Sequence, residues 1–160
     1  MSATFEDLRI LKIAEEIADS IWNRVIQWDE FAKDVVGKQL TRAADSIGAN
    51  IAESFGRYHF GERLQFLYYA RGSIFETKFW LNRAKARGLL SPSESQAWIE
   101  NITALARQLN AFAGSLKAVR TQESKNPKTV REATAEYRVD PTAEFPETLF
   151  TAEELTLLQS

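Results

Sequence analysis

Apolar residues return every three or four positions along four long stretches of this chain. That spacing lines side chains along one face of an α-helix. The first stretch predicts a helix from about Phe5 to Trp28, with Leu8, Leu11, Ala14, Ile17, Ala18, Ile21, Val25 and Trp28 on one face. Glu6 and Asp7 fall in its first turn, where the helix dipole favours acids. The second stretch predicts a helix from about Lys33 to Phe55, turning Val36, Leu40, Ala43, Ala44, Ile47, Ile51 and Phe55 inward. Gly56 is well placed to end it, and Gly61 follows in the turn.

The third helix is expected from about Glu62 to Arg87. It stops at Gly88, with Arg83, Lys85 and Arg87 in a last turn that suits cations. The fourth opens on Ser91-Pro92-Ser93-Glu94. Ser91 reads as an N-cap, Pro92 fits the first helical position, and Glu94 completes a capping box. Its stripe is Trp98, Ile102, Leu105, Leu109, Phe112, Leu116 and Val119. Four helices with short connections predict an all-α fold, an antiparallel up-down four-helix bundle over residues 1–120. From Thr121 the periodicity fails, so residues 121–160 read as an appended acidic tail. Within it, Thr151 and Glu154 have capping-box spacing ahead of Leu155 to Leu158, which predicts a short helix near 151–158.

The third helix carries more apolar surface than one bundle hides. Leu64, Leu67, Ala70, Ile74, Leu81 and Ala84 fill the inward stripe, leaving Phe66, Tyr69, Phe75, Phe79 and Trp80 on other sides. Each large aromatic buries on the order of 150–250 Å², and several exposed together exceed what a soluble monomer tolerates. Some of these rings can tuck under the tail or a loop. The remainder marks a candidate oligomer interface in a closed homo-oligomer.

Composition narrows the function. The chain has 160 residues and no cysteine, which removes disulfides and thiolate metal sites and fits a reducing compartment. The first residues lack the basic and apolar run of a signal peptide, and no window has the roughly 20 apolar residues of a membrane span. A cytoplasmic protein with no membrane partner is expected. The net charge of −2 hides an asymmetry. Residues 1–120 hold 16 basic to 14 acidic side chains, residues 121–160 hold 4 to 8, and residues 38–88 hold 9 to 4. The basic set of that middle segment is Lys38, Arg42, Arg57, Arg63, Arg71, Lys78, Arg83, Lys85 and Arg87. Phosphates need cations and unstacked bases favour aromatic platforms, and Arg57, Tyr58, His59, Phe60 and Arg63 mix both at the bend between the second and third helices. These cations are the candidate nucleic-acid-binding residues; the competing reading is ordinary solvated helix faces. Gly48, Gly72 and Ser73 weaken helix propensity, which close helix approach explains better than ligand binding.

Catalysis is not expected. His59 is the only histidine, so a di-iron site built on two Glu-x-x-His motifs is unavailable. Glu15 and Glu16 are adjacent and point to different sides of a helix, a poor acid–base pair. No cofactor or metal site is expected.

One block is specific enough to carry a resemblance: Thr41-Arg42-Ala43-Ala44-Asp45-Ser46-Ile47-Gly48-Ala49-Asn50-Ile51-Ala52-Glu53-Ser54-Phe55-Gly56-Arg57. With Phe5-Glu6-Asp7-Leu8, Gly72-Ser73-Ile74-Phe75-Glu76 and Ala84-Lys85-Ala86-Arg87-Gly88-Leu89-Leu90, it resembles the bacterial four-helix-bundle proteins of the 23S rRNA-intervening sequence family over about residues 5–120. The motif residues are Arg42, Asn50, Glu53, Gly56 and Arg57. The sequence departs from the family pattern at Gly48, where proline is usual, and at Ser54, where glycine is usual. The resemblance implies a closed homopentamer. It also implies kinship with the accessory variability proteins of diversity-generating retroelements, which associate with a reverse transcriptase and nucleic acid through a basic surface. The partners it implies are therefore copies of this chain, RNA or DNA, or a reverse-transcriptase-like protein. A protein-interaction scaffold with no nucleic-acid role is the alternative.

Overall fold

The structure is a computed structural model that describes residues 5–124 and 148–160. Helix α1 spans Phe5–Val25. Helix α2 is a run of three pieces: Glu30–Ala32, a π-helical turn Lys33–Gly37, and Lys38–Gly56. Helices α3, Phe60–Ala86, and α4, Pro92–Ser124, complete the bundle, and α5, Ala152–Gln159, follows. The described residues contain no strand. Helix α2 packs on α1 and α3, while α4 packs on α3 and α1, so the four long helices enclose one core. Ile21, Leu40, Ile47, Ile51, Leu64, Leu67, Ile74, Leu81, Ile102 and Leu105 are fully buried in it. The tail segment 125–147 and the side chain of Leu8 lie outside the described residues.

The helix ends follow from local chemistry. Helix α1 stops at Val25, and the Asp29 carboxylate accepts from the Ala32 N–H at 3.0 Å. This cap starts α2 at Glu30, three residues before the position expected from its apolar stripe. Trp28 is buried in the turn between them rather than on the end of α1. Helix α3 ends where Gly88 takes φ +73°, with the Leu89 N–H on the Ala84 carbonyl at 3.0 Å. Ser91 and Glu94 close the expected capping box, with the Glu94 N–H on Ser91 Oγ at 3.1 Å and the Ser91 N–H on Glu94 Oε2 at 2.8 Å. Arg24 at the end of α1 donates to the same Glu94 at 2.8 Å and to the Leu89 carbonyl at 3.1 Å, tying α1 to the α3–α4 turn. The stripe of α4 ends at Leu116, and Val119 is exposed.

Close approach falls at a glycine the sequence reading passed over. A Cβ on Gly37, inside the π turn, would lie 2.6 Å from Val25 Cγ1. Gly72 has nothing within 4 Å of a built Cβ, so helix approach does not explain it. Gly48 has only ordinary contact, 3.7 Å from Ala14 Cβ.

Helix α5 docks on the bundle. Leu149, Phe150 and Leu158 are buried, and Thr151 and Glu154 form the expected capping box. The Asn110 side chain clamps the entering backbone from both sides, with Nδ2 on the Phe150 carbonyl and the Phe150 N–H on Oδ1, each 2.7 Å.

Candidate functional site

The nine cations of the middle segment divide into two groups. Several are occupied within the chain. Lys38 pairs with Asp34, and Arg57 pairs with Glu53 while lying 4.7 Å above the Phe66 ring. Arg71 pairs with Glu154 of α5 and sits 5.1 Å and 5.6 Å from the Phe75 and Phe150 rings. Lys78 donates to the Leu157 carbonyl in the last turn of α5. Burial lowers the Lys78 pKa, and Lys85 adds to that effect. Arg63 is half-buried, and its carbonyl accepts from Ser54 Oγ at 3.0 Å.

The second group is open. Arg42, Arg83, Lys85 and Arg87 are exposed and meet no carboxylate among the described residues. Three of them share the end of α3, where the carbonyl end of the dipole favours positive charge.

The motif residues of α2 serve structure and charge together. Asn50 Nδ2 donates to the Ser46 carbonyl at 2.8 Å and to Ser73 Oγ of α3 at 3.4 Å. Glu53 binds Arg57, the residue just past the end of its own helix, rather than a facing helix. Gly56 ends α2 with nothing within 4 Å of a built Cβ.

The five surplus aromatics of α3 also separate. Phe75 faces Phe150 of the docked tail at 5.8 Å between ring centroids. Trp80 is half-buried against the core, and Phe66 is half-buried beneath Arg57. Tyr69 and Phe79 stay about half exposed, at 50% and 54%.

Three features were not singled out from sequence. Trp22, Ile26, Phe31 and Val35 are exposed around the α1–α2 turn. Their four-residue spacing on either side of the turn, off the inward stripe, is a signal that could have found them. Arg120 reaches from α4 to lie 4.8 Å above Phe60, a pairing between residues 60 apart in the chain that no local pattern announces. A shallow open groove of about 470 Å³ runs between α1 and α2, lined by Ala14, Ala18, Gly48, Ala49 and Ala52 together with Glu15, Asp19 and Asp45. Burial raises the Asp45 pKa, and the neighbouring Asp19 raises it further. Glu15, Asp19 and Asp45 make this face acidic, which disfavours polyanions there. No group of three His, Cys, Asp or Glu side chains converges to hold a metal among the described residues. No helix of the described residues is long and apolar enough to cross a membrane.

The search of curated proteins finds no match. A family model described as 23S rRNA-intervening sequence protein matches residues 6–111, covering α1, α2, α3 and most of α4 and including every motif residue from Arg42 to Arg57. The chain belongs to the 23S rRNA-intervening sequence protein family.

Proposed function

We propose that this protein is a non-enzymatic association module: an antiparallel bundle that assembles as a closed homopentamer and binds nucleic acid, or a nucleic-acid-processing protein, through its basic surface. One observation carries the reading. Among the described residues, Arg83, Lys85 and Arg87 stand together at one end of α3, exposed and without a carboxylate partner. Tyr69 and Phe79 on the same helix supply the apolar surface for assembly. A ring of copies repeats the cationic patch, which raises local potential and multivalent affinity.

The test is a fluorescence titration with labelled RNA and DNA at low and moderate salt. Binding that weakens as salt rises, and that the combined Arg83→Glu, Lys85→Glu and Arg87→Glu variant loses, supports phosphate contacts. Absent binding at low salt, or binding indifferent to salt, refutes them. Assembly is read separately by sedimentation, which should give a multiple of 18.2 kDa.

A protein-interaction scaffold without a nucleic-acid role is the second reading. The exposed quartet Trp22, Ile26, Phe31 and Val35 favours it, because Phe31 is 77% exposed and belongs to no intrachain cluster. A defined protein partner that survives nuclease and high salt, and that Phe31→Glu releases, would establish it.

A further inference from the structure

The link between α2 and α3 displays an aromatic ring more openly than any other segment described. Tyr58 is 84% exposed, the highest value among the exposed large apolar side chains. It occupies the middle of a three-residue connection, Arg57 to His59, whose first and last residues both hold extended backbone. Its ring meets His59 edge to face, 5.3 Å between centroids with the planes at 88°. A contact of that kind engages at most one face of Tyr58, so the other is open to solvent.

Two arginines belong to the same stretch of structure, each seated on a neighbouring ring. Arg57, one residue before it, is seated over Phe66 and pairs with Glu53 of α2, a carboxylate that a phosphate would have to displace. Arg120 is seated over Phe60, two residues after it, and meets no carboxylate among the described residues. A guanidinium resting on an aromatic face is held in place while its N–H groups project from the ring edge, which suits phosphate recognition. The link thus carries an open flat ring, with two ring-seated arginines held at or against the residues next to it in the chain.

We propose that the α2–α3 link is a stacking platform for single-stranded nucleic acid, in which Tyr58 takes an unpaired base and Arg57 and Arg120 take the adjoining phosphates. The proposal rests on the nucleic-acid reading above and narrows it to a strand form and a position. A duplex already stacks its bases, so an exposed ring adds nothing to duplex binding, whereas an unpaired base has a free face to offer. Stacking on an aromatic side chain tolerates any base, so weak sequence preference is expected.

The experiment uses the full chain and fluorescence anisotropy with a labelled oligothymidine of about a dozen nucleotides and a duplex of the same length. Tyr58→Ala and Tyr58→Leu are expected to weaken oligothymidine binding between about 5-fold and 100-fold. Tyr58→Trp should retain it, and duplex binding should be unchanged in all three. Tyr58 is exposed, so these variants are expected to melt with the parent, which circular dichroism checks. The platform is refuted if Tyr58→Ala binds oligothymidine as the parent does. It is equally refuted if Tyr58→Leu preserves binding, or if single-strand and duplex affinities fall together. If the parent protein binds neither probe at low salt, the nucleic-acid reading itself has failed. If it binds both and no Tyr58 variant changes either, only the platform has failed. A Tyr58→Ala variant that keeps both affinities but loses a protein partner assigns the ring to a protein contact.

Discussion

Replacing Phe150 with alanine should undock α5 and leave the four-helix core standing. The Phe150 ring is almost fully buried, 5.8 Å from Phe75 and 5.6 Å from the Arg71 guanidinium, and its own N–H and carbonyl are held by Asn110. Truncating a buried phenylalanine costs about 3–5 kcal/mol where the surroundings hold their places. Here they need not hold, because α5 packs beside α4 and is not one of the four helices that enclose the core. The loss is therefore capped by the docking free energy of α5. A helix of eight residues has little stability of its own, so docking and helix formation are lost together. A loss of about 3 kcal/mol shifts the docked-to-free ratio by about 100-fold, since each 1.4 kcal/mol is a factor of ten. Hydrogen exchange read by mass spectrometry resolves this. Amides of residues 155–160 should lose about two decades of protection while those of α1 and α3 keep theirs. Equal loss across all helices would show that α5 is an integral part of the core, and unchanged protection in α5 would show that Phe150 does not anchor it. Asn110→Ala should act in the same direction, by about 1–3 kcal/mol, because it leaves the Phe150 N–H and carbonyl without partners.

Two glycines should respond in opposite senses, read by urea or thermal melts. Gly37→Ala forces a Cβ to within 2.6 Å of Val25 Cγ1 and should destabilise by about 1–3 kcal/mol, with Val25→Ala relieving most of the loss. Gly72→Ala meets nothing within 4 Å on an exposed helical position and should stabilise by about 0.5–1 kcal/mol. Glu94 is held at a pKa of about 2, first by the Ser91 backbone N–H and then by Arg24, against an ordinary 4.5. A depressed carboxylate adds stability above its unfolded value and loses it as pH falls toward the folded one. Glu94→Gln should therefore lower the unfolding free energy taken from urea melts at neutral pH, by an amount near the 1 kcal/mol scale of exposed pairs. The gap from the parent should close between about pH 5 and pH 2, and a gap constant over that range would contradict the assignment.

The long helices were legible because each repeats its apolar period over five or more turns, and the Ser91–Glu94 and Thr151–Glu154 boxes are complete within four residues. What escaped depended on partners far along the chain. Asp29 caps α2 earlier than the apolar stripe suggests, and the π turn at Lys33–Gly37 has no marker beyond Gly37 itself, whose role appears only when Val25 of α1 is beside it. Of the five rings of α3 set aside as surplus, Phe66, Phe75 and Trp80 are half-buried within the chain, and only the docked tail shows that Phe75 is the one it covers. The cations Arg71 and Lys78 read as candidate phosphate contacts or solvated charges, and their partners Glu154 and Leu157 lie 83 and 79 residues away. Periodicity reports a helix face; it cannot say which segment covers that face.

Helix α3 carries two kinds of surplus, rings and cations, and α5 occupies a strip that holds both: Arg71, Phe75 and Lys78. Two substitutions separate them. Glu154→Gln removes the charge that neutralises Arg71 while leaving the Phe150–Phe75 contact, so it frees a cation without uncovering a ring. Phe150→Ala releases the whole helix and exposes rings and cations together. If the strip takes part in phosphate binding, Glu154→Gln should steepen the salt dependence of nucleic-acid affinity by about one counterion, and sedimentation should not change. Phe150→Ala should steepen it by about two, because Lys78 is released as well, and should also shift sedimentation toward larger species. A steeper salt slope in Phe150→Ala alone would mean that Arg71 is still held by its two ring contacts. Unchanged slopes in both variants would confine phosphate recognition to the ends of α3 and leave the strip as the seat of the tail.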